Sequence, residues 1–166
     1  RIQRAAQFAG HAAAEPVSDA TARRQGAVLK LVTAYRSRGH LQADTDPLGM
    51  WQKMPAPDLD LPFHGLSPAD LDTEFSTGTF GGPERMTLKA LLGHLKATYC
   101  GSIGAEFMHI SDAVQRRWVY ERLERAGGSY GIEADTRRRI LERLTAAEGL
   151  ERFLHTKYVG QKRFSL

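Results

Sequence analysis

The spacing of Leu88, Leu91, Leu92, Leu95 and Tyr99 constrains this chain more than any other feature. Steps of three and four place these side chains on one stripe of an α-helix, whereas a strand would scatter them over both faces. Thr87, just ahead of the stripe, is a residue type that caps helix starts. Val28, Leu31, Val32 and Tyr35 repeat the pattern and predict a first helix that stops near Arg38, before Gly39. Ser111 reads as the cap of a further helix through Arg125, with Val114, Trp118, Val119 and Leu123 as its apolar face. A last helical region carries Ile140, Leu141 and Leu144. Thr145 and Glu148 have the spacing of a capping box, so the helix is expected to restart there and to bury Leu150, Phe153 and Leu154.

Between these helices the chain is punctuated. Residues 40–63 contain Pro47, Pro55, Pro57 and Pro62 and predict a long loop with little regular structure. In "LSPADLDTEF", Ser67, Pro68 and Asp70 give the start signal of a short helix, which the glycines and proline of "STGTFGGPER" end. No strand-and-helix alternation appears, and no repeat. The expected fold is mainly α: a small helical domain over 21–166 with a long Pro-containing loop. An alanine-rich N-terminal arm over 1–20 precedes it, and short extended pieces are confined to 77–80 and 105–110.

With 166 residues the chain can bury one real core, and no apolar run is long enough to cross a bilayer. A single cysteine forms no internal disulfide and anchors no Cys-rich metal site. The net charge of +4 invites a nucleic-acid reading. Its arginines, however, are interleaved with acids in "RRWVYERLERA" and "RRRILERLTAAEGLER", which marks solvated helix faces rather than a phosphate-binding stripe. Nucleic acid and membrane are therefore not expected partners.

The candidate chemistry is thin. "TYCGSIGAEFMHI" gathers Cys100, Gly101, Gly104, Glu106 and His109 without helical periodicity. Cys100 follows an apolar helix and reads as a buried, inert thiol. His40 and His109 lie near Asp44, Asp46 and Asp112, but no tetrahedral ligand set accompanies them, so hydrogen-bonded structural histidines are expected. "DTDPLG" lacks the further oxygens of a calcium loop and reads as an Asx-capped turn at Asp46. "GGPER" and "GSIGAE" lack the context of phosphate cradles. Catalytic and metal residues are expected to be absent. The basic, aromatic "HTKYVGQKRFSL" reads as a segment that runs on into further structure.

Several blocks, in order, resemble one family. They are "AYRSRGHLQADTDPLG", "LSPADLDTEFSTG", "TLKALLGHLKATYCGSIGAEFMHI", "RRWVYERLE" and "LTAAEGLERFLHTKYVGQKRFSL". The family is the thiamine-dependent first component of the 2-oxoglutarate dehydrogenase complex. The resemblance implies that this chain is the helical region preceding α/β thiamine-diphosphate domains that it does not contain. Those domains would bind thiamine diphosphate and Mg2+, decarboxylate 2-oxoglutarate and pass the succinyl group to a dihydrolipoyl succinyltransferase. The implied partners are that acyltransferase, the remainder of the dehydrogenase chain and a second copy in a homodimer. A bacterial member would be cytoplasmic and a eukaryotic one would lie in the mitochondrial matrix. Phe164 matches a phenylalanine lining the 2-oxoglutarate pocket and is the one site residue carried over. Gln52, Lys53 and Met54 replace the acidic calcium ligands of animal members. Glu106 and His109 are expected to pair across a subunit or domain boundary, so that Glu106→Ala weakens assembly more than substrate affinity. A 2-oxoadipate-type relative and a stand-alone helical interaction module are the rival readings.

Overall fold

The computed structural model describes residues 18–158. It is mainly helical, with helices α1 (Asp19–Arg38), α2 (Leu88–Tyr99), α3 (Ala113–Ala126) and α4 (Ala134–Lys157), and strands β1 (Glu74–Ser76) and β2 (Arg85–Thr87). The chain divides into two compact units between Gly128 and Ser129, and α4 is the helix of the second. Most of the expected arm lies outside the described residues, and α1 begins within its last positions, capped by Ser18 whose side chain accepts from the Thr21 N–H.

The first unit is built on the two stripes read from the sequence. Val28, Leu31, Leu88, Leu91, Leu95 and Tyr99 are fully buried, and α1 packs on α2 and α2 on α3. Gly39 makes this approach feasible, because a Cβ there would collide with Cβ of Tyr99. It follows α1 in right-handed helical backbone rather than in the left-handed cap conformation, and the chain continues into a 3-10 turn, Gly39–Gln42. The Pro-containing loop is ordered by two more such turns, Pro57–Leu59 and Leu61–His64, and seats Leu59 in the core.

Several expectations change. The Ser67 start signal yields only a three-residue 3-10 turn, Pro68–Asp70, although Ser67 and Asp70 do form the capping box. The extended residues flank the glycine-rich stretch instead of lying in it: β1 and β2 pair antiparallel, Phe75 opposite Met86, and 77–80 belongs to their connection. Gln25 of α1 pins the outer edge, its amide donating to Ser76 O at 2.7 Å and accepting from Ser76 N at 2.9 Å. No strand forms over 105–110. Asp112, not Ser111, caps α3, accepting from the N–H groups of Val114 and Gln115. α3 is rotated from the expected face: Val114 and Trp118 are 78% and 62% exposed, while Val119, Tyr120 and Leu123 pack inward and Glu124 is buried. α4 does not restart at Thr145. Ala146 and Ala147 follow it, both strong helix formers, and mid-helix N–H groups already paired along the helix leave a capping box nothing to satisfy. No residue of α4 is buried, and Leu150 and Phe153 are more than half exposed.

Candidate functional site

The most elaborate polar construction is centred on Glu124, whose side chain is fully buried. Arg36 donates from Nε to Oε1 at 2.7 Å and from Nη2 to Oε2 at 3.0 Å, a two-point guanidinium–carboxylate pair. Tyr99 donates its hydroxyl to Oε1 at 2.7 Å, and the Gly81 N–H donates to Oε2 at 2.6 Å. The remaining Arg36 donors reach Thr79 Oγ1 and Thr79 O, and its guanidinium lies 3.8 Å from the Tyr120 ring centroid. Burial opposes the charge of Arg36, but the hydrogen bond and charge of Glu124 outweigh it and raise the Arg36 pKa. Burial, then the charge of Glu124, pushes the Tyr99 hydroxyl upward. Every oxygen of the carboxylate is thus engaged. The cluster ties α1, α2, α3 and the β1–β2 connection together and leaves no atom free for a substrate.

Sequence reasoning missed this cluster because it read the charges of α3 as solvated. For Glu121 that is right, since it pairs on the surface with Arg117 at 2.6 Å and Arg125 at 3.0 Å. A signal was present: Arg36 continues the Val28–Val32 row at the next step of four, and Glu124 stands four residues after Tyr120.

The expected site residues are dispersed. Cys100 is half-buried, and burial raises its thiol pKa against the opposing charges of Lys96 and Lys53. Glu106, which looks interior in the sequence, is exposed, as is His109; neither hydrogen-bonds to a described residue. The interior positions of that stretch belong to Phe107, stacked against Tyr99 with centroids 6.2 Å apart, and to Met108. Gly101 lies close to Ala97 O and accepts from the Asp44 N–H at 2.8 Å. The structural-histidine reading fails for His40, whose buried Nδ1 has no hydrogen-bond partner. Asp46 does form its turn, accepting from Leu48 N at 3.0 Å and Trp51 N at 2.8 Å; the Trp51 N–H leads in holding its pKa low. Phe164, Lys162 and Arg163 lie outside the described residues. Among the described residues no group of three or more His, Cys, Asp or Glu could hold a metal ion, and no helix is long and apolar enough to cross a membrane.

Among the clefts around the loop, two lie near Lys53 and Met54. The larger, about 840 Å³, lies between the Pro-containing loop, α1 and α2, with Tyr35, Lys53, Leu59, Asp60, Lys96 and Cys100 among its lining. The smaller, about 620 Å³, is lined by His40, Asp44, Asp46 and Trp51 among others.

No protein-family model matches this chain. This helical unit, with its internally satisfied carboxylate, nevertheless has close counterparts among curated proteins. The 2-oxoglutarate dehydrogenase E1 component of Cupriavidus necator is 53% identical over 145 residues, 87% of this chain and 15% of the relative. The E1 component of Azotobacter vinelandii is 48% identical over 155 residues, 93% of this chain and 16% of the relative. The 2-oxoglutarate dehydrogenase E1/E2 component of Corynebacterium glutamicum is 51% identical over 143 residues, 84% of this chain and 12% of that protein. The chain belongs to the 2-oxoglutarate dehydrogenase E1 family, and it spans about one sixth or less of the length of these relatives.

Proposed function

We propose that this chain is the N-terminal helical region of a thiamine-diphosphate-dependent 2-oxoglutarate dehydrogenase first component and serves that enzyme as a structural element. The observation that carries the reading is 48–53% identity to two E1 components over most of the chain's length. The complete protein would decarboxylate 2-oxoglutarate and pass the succinyl group to a dihydrolipoyl succinyltransferase in the tricarboxylic acid cycle, as a cytoplasmic homodimer. The described residues do not fit a magnesium-bound diphosphate: no metal-holding group exists among them, and the larger cleft offers Asp60 as its one carboxylate. On this reading the cofactor seat lies in the rest of the protein. What the first unit supplies is a structural preamble, in which the Arg36–Glu124 pair fixes α1 against α3. On this reading Glu106 and His109, both exposed, meet a subunit or domain boundary of the complete protein.

The complete coding sequence, purified and assayed with 2-oxoglutarate, thiamine diphosphate, Mg2+ and ferricyanide, tests this. Turnover is expected from the complete protein and none from residues 1–166 alone. A complete protein inert to 2-oxoglutarate, or turnover by the 166-residue chain, overturns the reading; preference for 2-oxoadipate assigns the neighbouring enzyme instead. Phe164 is assigned to the apolar wall of the substrate pocket. In the complete enzyme Phe164→Ala should raise KM for 2-oxoglutarate about tenfold, the usual scale for lost apolar pocket contact. An unchanged KM removes that assignment.

A further inference from the structure

The larger cleft contains a feature the helical framework does not use. Tyr35 is 2% exposed, so its ring belongs to the core, yet it lines the cleft and its hydroxyl has no hydrogen-bond partner among the described residues. The hydroxyl is not among the sealed, unpartnered side-chain atoms, so it opens to the cleft and can donate to a bound anion. Cys100 lines the same cleft, as do the ammonium-bearing side chains of Lys53 and Lys96. Lys53 is shared with Asp44, 3.7 Å away, and with the carbonyl of Gln42, while Lys96 has no ion pair. Both lysines act electrostatically on Cys100, and Cys100 acts in turn on Tyr35, ahead of Asp60, the one carboxylate of the lining. The other walls are apolar: Pro55, Leu59, Leu61 and Leu92. A free phenol donor and two cations beside an aliphatic wall match an amphiphilic anion better than phosphate, which has no chain to lay on leucine.

We propose that this cleft binds a small aliphatic carboxylate, its charged end among Tyr35, Lys53 and Lys96 and its chain against Leu59, Leu61 and Leu92. The site is independent of the proposed catalytic reading, since it uses only residues of the first unit and no cofactor. Cys100, the chain's single cysteine, reports on it. The test follows the rate of Cys100 alkylation by iodoacetamide in the 166-residue chain, with hexanoate as the probe and hexanol and inorganic phosphate as controls. Hexanoate at about ten times its dissociation constant should slow alkylation about tenfold by mass action, and the controls should not. Each variant is compared with its own unliganded rate. Lys53→Met combined with Lys96→Met should abolish the protection. Tyr35→Phe, which keeps the ring, should weaken hexanoate about fivefold through the lost hydroxyl. Absence of protection, equal protection by hexanol or phosphate, or full protection in the double-lysine variant overturns the proposal. Should the double-lysine variant misfold by circular dichroism, the Tyr35→Phe result decides: unchanged hexanoate affinity overturns it.

Discussion

At Glu124, a carboxylate is affordable in the interior only because each oxygen accepts from a neighbour: Arg36 and Tyr99 on one, Arg36 and Gly81 on the other. Glu124→Ala removes all of these acceptors and leaves the Arg36 guanidinium buried without its counter-charge. Such a break costs about 3–5 kcal/mol, so the urea midpoint should fall steeply. Glu121→Ala, three residues away, breaks solvent-screened pairs whose arginines are 67% exposed and should leave the urea midpoint nearly unchanged. Equal losses for the two variants would show that the buried network contributes no more than a surface pair. The tyrosines supply a pH dependence of defined sign. Burial, then the charges of Cys100 and Asp60, pushes the Tyr35 hydroxyl up to about 12 from its ordinary 10.0. The folded state therefore holds this proton more tightly than the unfolded chain does. Its contribution to stability is fully present below pH 10 and is lost as pH rises from there towards 12. Chemical denaturation across that window should show stability falling as pH rises, with Tyr35→Phe flattening the slope; a parent slope that is flat or rising would contradict the assignment.

Among the elements, α2 was the most legible, and the reason is physical. Its information is local: Thr87 accepts from the Ala90 N–H at 3.3 Å, and the leucine stripe faces a single core. α3 was half legible. Its boundaries follow from nearby residues, but its rotation is set by a pair separated by 88 positions, Arg36 and Glu124, which no periodicity of apolar residues can register. α4 misled in the other direction, because a capping-box spacing in mid-helix looks the same in sequence as one at a helix start. The cleft was illegible altogether, since Tyr35, Lys53 and Cys100 meet only when the loop folds back. Helix propensity also separates the glycines of α1 and α2 from the one that follows α1. A Cβ on Gly26 or Gly93 would meet nothing within 4 Å, so Gly26→Ala and Gly93→Ala should each stabilise by about 0.5–1 kcal/mol. Gly39→Ala drives a methyl into Tyr99 and should destabilise by about 1–3 kcal/mol. Thermal melts of the three variants check this; a destabilised Gly93→Ala would mean that its face of α2 is packed against something.

For the molecule as a whole, the distribution of burial says where cooperative folding resides. Every buried apolar side chain among the described residues lies between Ala27 and Phe107, yet the carboxylate that completes the interior comes from α3. Sequence distance and structural dependence are therefore decoupled: residues 113–126 add no fully buried apolar side chain, but they satisfy Arg36, Tyr99 and the Gly81 N–H. A truncation and a substitution separate these contributions. A fragment of residues 18–128 keeps the apolar core and the whole Glu124 cluster, and should unfold in one transition near the midpoint of the parent's first unit. In that fragment Glu124→Gln leaves α3 and its inward-packed Val119, Tyr120 and Leu123 in place but removes the counter-charge of Arg36. By the cost of an uncompensated buried charge it should lose about 3–5 kcal/mol, a large part of what a domain this size commands. If apolar burial alone held the fold, the fragment and its variant would share a urea midpoint. A variant that melts with its parent would therefore move the seat of stability from the α1–α3 pair back to the leucine stripe.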